Sequence, residues 1–215
     1  LMASTIQVDK IQDTGGNTIV ESNGSGVATT IIPTTYLGSG TASSSTFLRG
    51  DQTYATPVAG GITVADQWRI TTTFTGNVQP ITANWEQTDG TAQGNLGTSM
   101  AVASGVWTFP STGFYLVSWA ISGNASADTR YTYSIIDATV NNSSYGDIAY
   151  GWGSISIGTA GDNWFTTRAE TIVDVTDVSN VKVRFGVNSP NSSLNWVGDS
   201  STNYNCATFL RLGDT

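Results

Sequence analysis

The chain has 215 residues, with 8 Lys plus Arg against 16 Asp plus Glu, a net charge of -8 and only 11% charged residues in all. That balance excludes the broad basic surface with which a nucleic-acid binder neutralises phosphates. Histidine is absent, which removes the commonest general base and zinc ligand, and the single cysteine, Cys206, has no partner for a disulfide or a metal site. Thr, Ser, Gly and Asn are abundant and aromatics make up 10%, a composition that favours strands and turns and predicts an all-β protein. The first residues, LMASTIQVDKIQDTGG, have neither a basic nor an apolar signal region, and no run reaches the length of a membrane span. A soluble protein without an export signal is expected, with Met2 as its natural start.

Three zones follow in chain order, divided at Gly and Pro clusters where few long-range contacts should cross. In residues 1–33, Thr5–Asp9 and Thr18–Val20 alternate on either side of the turn residues Asp13–Asn17, which predicts a short hairpin. A lone hairpin is marginal in water. Ile6, Val8, Ile11, Ile19 and Val20 therefore need a partner surface, from other copies of the chain or from a larger body to which this end docks. Residues 34–61 scatter Tyr36, Leu37, Phe47, Leu48 and Tyr54 among Gly, Ser and Thr. A single chain of that kind is a flexible linker, whereas several chains wound together could bury the sparse large residues in an extended stalk. Arg49-Gly50-Asp51 matches an integrin-type tripeptide, but three-residue matches arise by chance.

Residues 62–215 read as one domain of short strands with no helical period. Strands are expected at Trp68–Phe74, Ile81–Trp85, Val106–Phe109, Phe114–Ile121, Arg130–Ile136, Asp147–Ile157, Trp164–Val175, Val181–Val187 and Cys206–Leu212. A two-sheet jelly roll suits that series. In Val181–Val187, the apolar Val181, Val183, Phe185 and Val187 alternate with Lys182 and Arg184, the pattern of an outer sheet with one wet side. Phe114–Ile121 differs: Tyr115, Val117, Trp119 and Ile121 line one face, and Phe114, Leu116 and Ala120 the other. The last strand likewise sets Cys206, Leu210 and Leu212 opposite Ala207 and Phe209. A two-layer sandwich covers only one of those faces, so a second copy of the chain is the expected cover for the other. Leaving each large side chain wet forgoes about 1.5–3 kcal/mol. Phe114, Tyr115, Leu116, Val117, Trp119, Phe209 and Leu210 are the core and interface candidates.

GVWTFPSTGFYLVSWAI, an alternating penultimate strand and a closing CATFLRLGDT resemble the C1q/TNF-like jelly roll over roughly the last two thirds of the chain, best at Thr112–Tyr115. The resemblance implies a tight trimer about a threefold axis. Upstream, STIQVDKIQDTGGNTIVE and LGSGTASSSTFLRGDQTYATP resemble segments that precede the recognition head in tailed-phage fibre proteins, particularly those of marine and cyanobacterial phages. Together they imply a short homotrimeric fibre made in the host cytoplasm. Its residues 1–33 would attach to tail, baseplate or capsid proteins, 34–61 would form an intertwined trimeric stalk, and the 62–215 head would face a glycan or protein on the host surface. A capsid decoration or fibre-connecting protein without a receptor, a polysaccharide depolymerase and a secreted bacterial adhesin are the rival functions.

Paired carboxylates are what a depolymerase requires, and Asp128, Asp137, Asp147, Asp162, Glu170, Asp174 and Asp177 are the candidates. Most fall at strand ends or in turns, where Asp makes local turn hydrogen bonds, and no long repetitive platform is present to carry a glycan. The chain is read as a non-enzyme without cofactor or metal. Asp199–Asn203 has the composition of a calcium loop but no EF-hand spacing and is read as a solvated loop. Aromatics in polar loops can stack on sugars or anchor protein contacts while partly wet, which selects Tyr145, Tyr150, Trp152, Trp164, Trp196 and Tyr204 as receptor-binding candidates.

Overall fold

The computed structural model describes residues 10–16, 18–22, 28–29, 38–41, 43–57, 61–156, 161 and 163–215. Strands, turns and loops account for all of them, and the chain divides into two compact units, Leu1–Gly60 and Gly61–Thr215.

In the first unit β1 (Lys10–Gln12) and β2 (Thr18–Ser22) are antiparallel neighbours, and β3 (Ala28–Thr29) pairs with the other edge of β2. Asp13 closes the β1–β2 turn: its carbonyl accepts from the Gly16 amide at 3.1 Å and its Oδ1 from the Gly15 amide at 2.9 Å. The hairpin's first strand is Lys10–Gln12, while Thr5–Asp9, with Ile6 and Val8, lies outside the described residues. Ile11 stands opposite Val20 in the register, next to Ile19, and is exposed.

In the described part of residues 34–61, β4 (Phe47–Leu48) is antiparallel to β5 (Tyr54–Ala55) and Ser39 is bridged to Thr53. Asp51 drives the turn by accepting from the Thr53 amide at 3.1 Å and its hydroxyl at 2.7 Å, bonds that hold its carboxyl below the usual carboxylate range. Gly38 permits the return, because a Cβ there would lie 2.3 Å from the Gln52 carbonyl oxygen. The small polar residues thus satisfy their backbone groups locally, as turn formers, within one chain.

The second unit is a two-sheet sandwich. One sheet runs β13 (Gly146–Ile155), β12 (Thr129–Thr139), β15 (Lys182–Asn188), β10 (Val106–Thr108), β9 (Ala101–Ala103). In the other, β11 (Gly113–Ala125) is flanked on one edge by β14 (Asn163–Val175) along its whole length. Its second edge carries β17 (Cys206–Gly213) and then the short β16 (Asn195–Trp196). Beyond β17 lie β6 (Ala65–Ile70) and β8 (Trp85–Gln87), and beyond β16 lies β7 (Phe74–Thr75). The expected strand Trp68–Phe74 breaks after Ile70, and Ile81–Asn84 is irregular: Ile81 is buried and donates its amide to the Phe185 carbonyl at 2.9 Å. Two-residue β16 and three-residue β9 are too short to show a period.

Alternation in β11 sends Tyr115, Val117, Trp119 and Ile121 into the sandwich, all fully buried. There they meet Phe209 from β17 and Phe185 from β15 in one aromatic core. Trp107 is its hub, with ring centroids 4.9 Å from Trp85, 5.1 Å from Phe209, 5.3 Å from Trp68 and 5.8 Å from Phe185. Mostly edge-on and tilted contacts of this kind suit the ring quadrupoles. The Trp119 indole N–H donates to the Gly186 carbonyl at 3.0 Å, tying β11 of one sheet to β15 of the other. Lys182 departs from the wet-side expectation: it is buried, and its ammonium donates to the Thr108 hydroxyl at 3.0 Å and to the Val178 carbonyl. Trp107→Ala should destabilise the unit by about 3–5 kcal/mol, read as a lowered denaturant midpoint with an unchanged slope; a loss under 1 kcal/mol would show that Trp107 is not the hub.

Candidate functional site

Two features of the outer surface of this unit combine exposure with a pattern that packing inside one chain does not explain. The first is the outward face of the β14–β11–β17 layer. The register brings Leu116 between Ile172 and Leu210, with Phe114 one step away and Leu212 at a bulge beside it. Phe114, Ile172 and Leu212 are exposed and Leu116 and Leu210 half-buried, so an apolar strip crosses three adjacent strands. Of the core and interface candidates, Tyr115, Val117, Trp119 and Phe209 therefore belong to the chain's own core, and Phe114, Leu116 and Leu210 to this strip.

The second feature is an aromatic ladder on the outward face of β12 and β13. Tyr133 lies directly across from Trp152, their centroids 4.5 Å apart. Tyr131 stacks 5.8 Å from Tyr133 and 6.0 Å from Trp152, and Tyr150 lies 5.5 Å from Tyr133 and 5.9 Å from Trp152. Trp152 is 63% exposed, the most open of the four. The run Tyr150-Gly151-Trp152-Gly153 explains how one strand carries rings on one side only. A Cβ on Gly151 would sit 2.2 Å from the Arg168 carbonyl oxygen, so only glycine lets β13 close onto β14 while its neighbours face out.

At the end of the ladder nearest the β12–β13 turn, Asp137 and Asp147 stand opposite each other. Burial pushes the Asp137 carboxyl up, against the pull of Arg184, which donates to its Oδ2 from Nε at 2.9 Å and from Nη2. The Arg184 guanidinium also lies 3.6 Å from the centroid of the Tyr145 ring, so Tyr145 covers an ion pair rather than standing free. Asp147 accepts from Gln79 Nε2 at 2.8 Å and from the Tyr150 hydroxyl. The hydrogen bond to Asp147 holds the Tyr150 phenol in its protonated form, pushed up to about 12.

The remaining candidates separate. Trp164, on β14 of the other sheet, and Tyr204, in the loop before β17, form an exposed pair with centroids 6.1 Å apart. Trp196 is corrected: it is fully buried, its indole N–H donating to the Gly76 carbonyl at 2.9 Å and its ring 5.6 Å from Phe165. Sequence reasoning missed Tyr131 and Tyr133, although the alternation Tyr131-Thr132-Tyr133-Ser134 was its signal: Thr132 and Ser134 are the buried pair, which sends both rings outward. Among the acids, Asp177 caps its turn by accepting from the Ser179 amide at 2.7 Å, and Glu170 pairs with Arg168 at 3.6 Å on β14. Asp162 lies outside the described residues. Asp199 accepts from the Ser201 and Thr202 amides, both at 2.7 Å, so its carboxylate closes its own loop. Among the described residues no group of three or more His, Cys, Asp or Glu is placed to hold a metal. Cys206 is buried, which pushes its thiol up to about 11.

Because Tyr150 keeps its proton through Asp147, that bond stabilises the fold fully below the ordinary phenol value near 10 and is lost as pH rises through about 12. Ultraviolet titration of Asp147→Asn should return one tyrosine toward the ordinary value; an unchanged titration curve would show that the bond does not form.

No protein-family model matches the sequence, and no curated protein matches it. Solved structures do match in fold. A TNF protein, Eiger from S. frugiperda, is similar at 13% identity with a TM-score of 0.52, covering 71% of this chain and 94% of that one. Murine APRIL, in structures at pH 8.5 and pH 5.0, is similar at 8% and 7% identity with TM-scores of 0.47 and 0.48, covering 69% of this chain and 98% of each. The fold of the second unit is a TNF-like jelly roll.

Proposed function

We propose that the chain is a homotrimeric adhesion protein, a short tailed-phage fibre whose TNF-like head binds the host surface and whose N-terminal unit attaches to the virion. The observation that carries the trimer is the apolar strip of Phe114, Leu116, Ile172, Leu210 and Leu212, exposed or half-buried on a sheet face of the second unit. Burial against sibling copies would recover up to about 1.5–3 kcal/mol for each exposed large side chain. The phage assignment rests on the upstream segments Ser4–Glu21 and Leu37–Pro57 and their resemblance to fibre proteins.

The head acts by binding and not by catalysis. Of the two carboxylates that stand opposite each other, Asp137 is paired with Arg184 through Oδ2 and Asp147 is hydrogen-bonded to Gln79 and Tyr150, contacts that support a structural and binding role for the pair. Three equivalent weak sites on one rigid head gain apparent affinity because the second and third contacts become intramolecular. Light scattering should give the mass of three chains. Ile172→Arg, at a position 58% exposed in the single chain, should fold normally by circular dichroism yet run as one chain. A stable wild-type monomer, or an Ile172→Arg trimer, would refute the interface. Labelled head should adhere to host cells and compete with infection; a trimer that does neither would be a connecting or decorating component.

A further inference from the structure

Within the aromatic core the polar edges of the tryptophans are mostly spoken for. Trp68 donates to Asp66 at 2.9 Å, Trp85 to the Ile81 carbonyl at 2.9 Å and Trp119 to the Gly186 carbonyl at 3.0 Å. On the β12–β13 ladder the reverse holds: among the described residues the indole N–H of Trp152 and the phenols of Tyr131 and Tyr133 make no hydrogen bond. This face therefore offers ring surfaces and unclaimed donors side by side. At one end stands the Asp147 carboxylate, positioned by Gln79 and Tyr150. Arg184, the cation of this face, is already bound to Asp137 and stacked on Tyr145, and Arg130 precedes Tyr131 at the end away from Asp147.

We infer that the Tyr131–Tyr133–Tyr150–Trp152 ladder, with Asp147 at its end, is a binding site for a neutral, hydroxyl-rich glycan, an inference that rests on the adhesion reading above. The C–H face of a pyranose ring is apolar and planar enough to lie on an indole or phenol ring, while its peripheral hydroxyls are donors and acceptors. Trp152 supplies the open stacking surface, and the free phenols and indole N–H supply donors to sugar oxygens. Asp147 accepts from sugar hydroxyls with whatever lone pairs Gln79 and Tyr150 leave, fixing orientation in the way a few placed polar groups do on an otherwise apolar surface. From Tyr131 to Asp137 the strand rises about 20 Å, which suits an oligosaccharide better than a single sugar. Acidic glycans are disfavoured, because a carboxylate or sulfate would approach Asp147 on a chain whose net charge is -8.

Affinity electrophoresis of the full chain in gels containing dextran, mannan or laminarin, against alginate and hyaluronate, tests this directly. The wild type should be retarded by at least one neutral polymer and by neither acidic one. Trp152→Ala should weaken retardation about tenfold, whereas Leu96→Ala, exposed beside β6 of the other sheet, should leave it unchanged. Retardation by none of the neutral polymers, preferential retardation by the acidic ones, or full retention by Trp152→Ala would overturn the inference. So would conversion of Trp152→Ala to a monomer, which would make the ladder a subunit contact. Host-cell binding separates this inference from the reading beneath it. Adhesion that survives periodate cleavage of surface glycans but not protease overturns the glycan while the adhesion reading stands. Neutral-polymer retardation without adhesion to cells leaves the glycan site standing and overturns the adhesion reading.

Discussion

The second unit is organised by a strand that is apolar on both sides. β11 sits in mid-sheet between β14 and β17, and its inward residues Tyr115, Val117, Trp119 and Ile121 exhaust what the sandwich can bury. Its outward residues Phe114 and Leu116 are left exposed and half-buried among the described residues of this unit. Phe114 and Leu116, joined by Ile172, Leu210 and Leu212 from the flanking strands, face out together. The hydrophobic effect is non-directional and proportional to area, so five neighbouring side chains on one flat layer favour association far more than the same residues scattered.

The inward half of the same strand makes the rest of the head rigid. Trp119 reaches across to the Gly186 carbonyl on β15, and β15 pairs with β12 along its length, so the core fixes the sheet that carries the aromatic ladder. Glycine at 151 then draws β13 against β14 and turns Tyr150 and Trp152 outward. A site built on strands held this way is preorganised, and weak ligands lose little affinity to ordering it. Burial of the Asp137–Arg184 pair beside it has the same consequence: the pair's partners are fixed, and Asp147 is left at the rim.

Much of this was legible from side-chain alternation. The two-faced pattern of Phe114–Ile121 and of Cys206–Leu212 predicts which residues point in and which out, and the long strands fall where the pattern puts them. Local chemistry that does not alternate was less readable. Trp196 stands in an Asn- and Ser-rich loop sequence, yet a two-residue strand beside β11 pulls it into the core. Tyr131 and Tyr133 are signalled only once Thr132 and Ser134 are recognised as buried hydroxyls, and a polar residue in the inward register hides that. Residues 43–57 share the composition of a linker, and it is the Asp51 turn and the bridge from Ser39 to Thr53, matters of a few specific atoms, that set their local pairing.

Hydroxyl-radical footprinting of the full-length protein weighs the two outer faces against each other in one experiment. Phe114 and Leu212 should be protected well beyond what a single chain provides, while Tyr131 and Trp152 are oxidised freely. Oxidation of Phe114 and Leu212 in proportion to their single-chain exposure, at a concentration where the protein is fully assembled, would contradict the account.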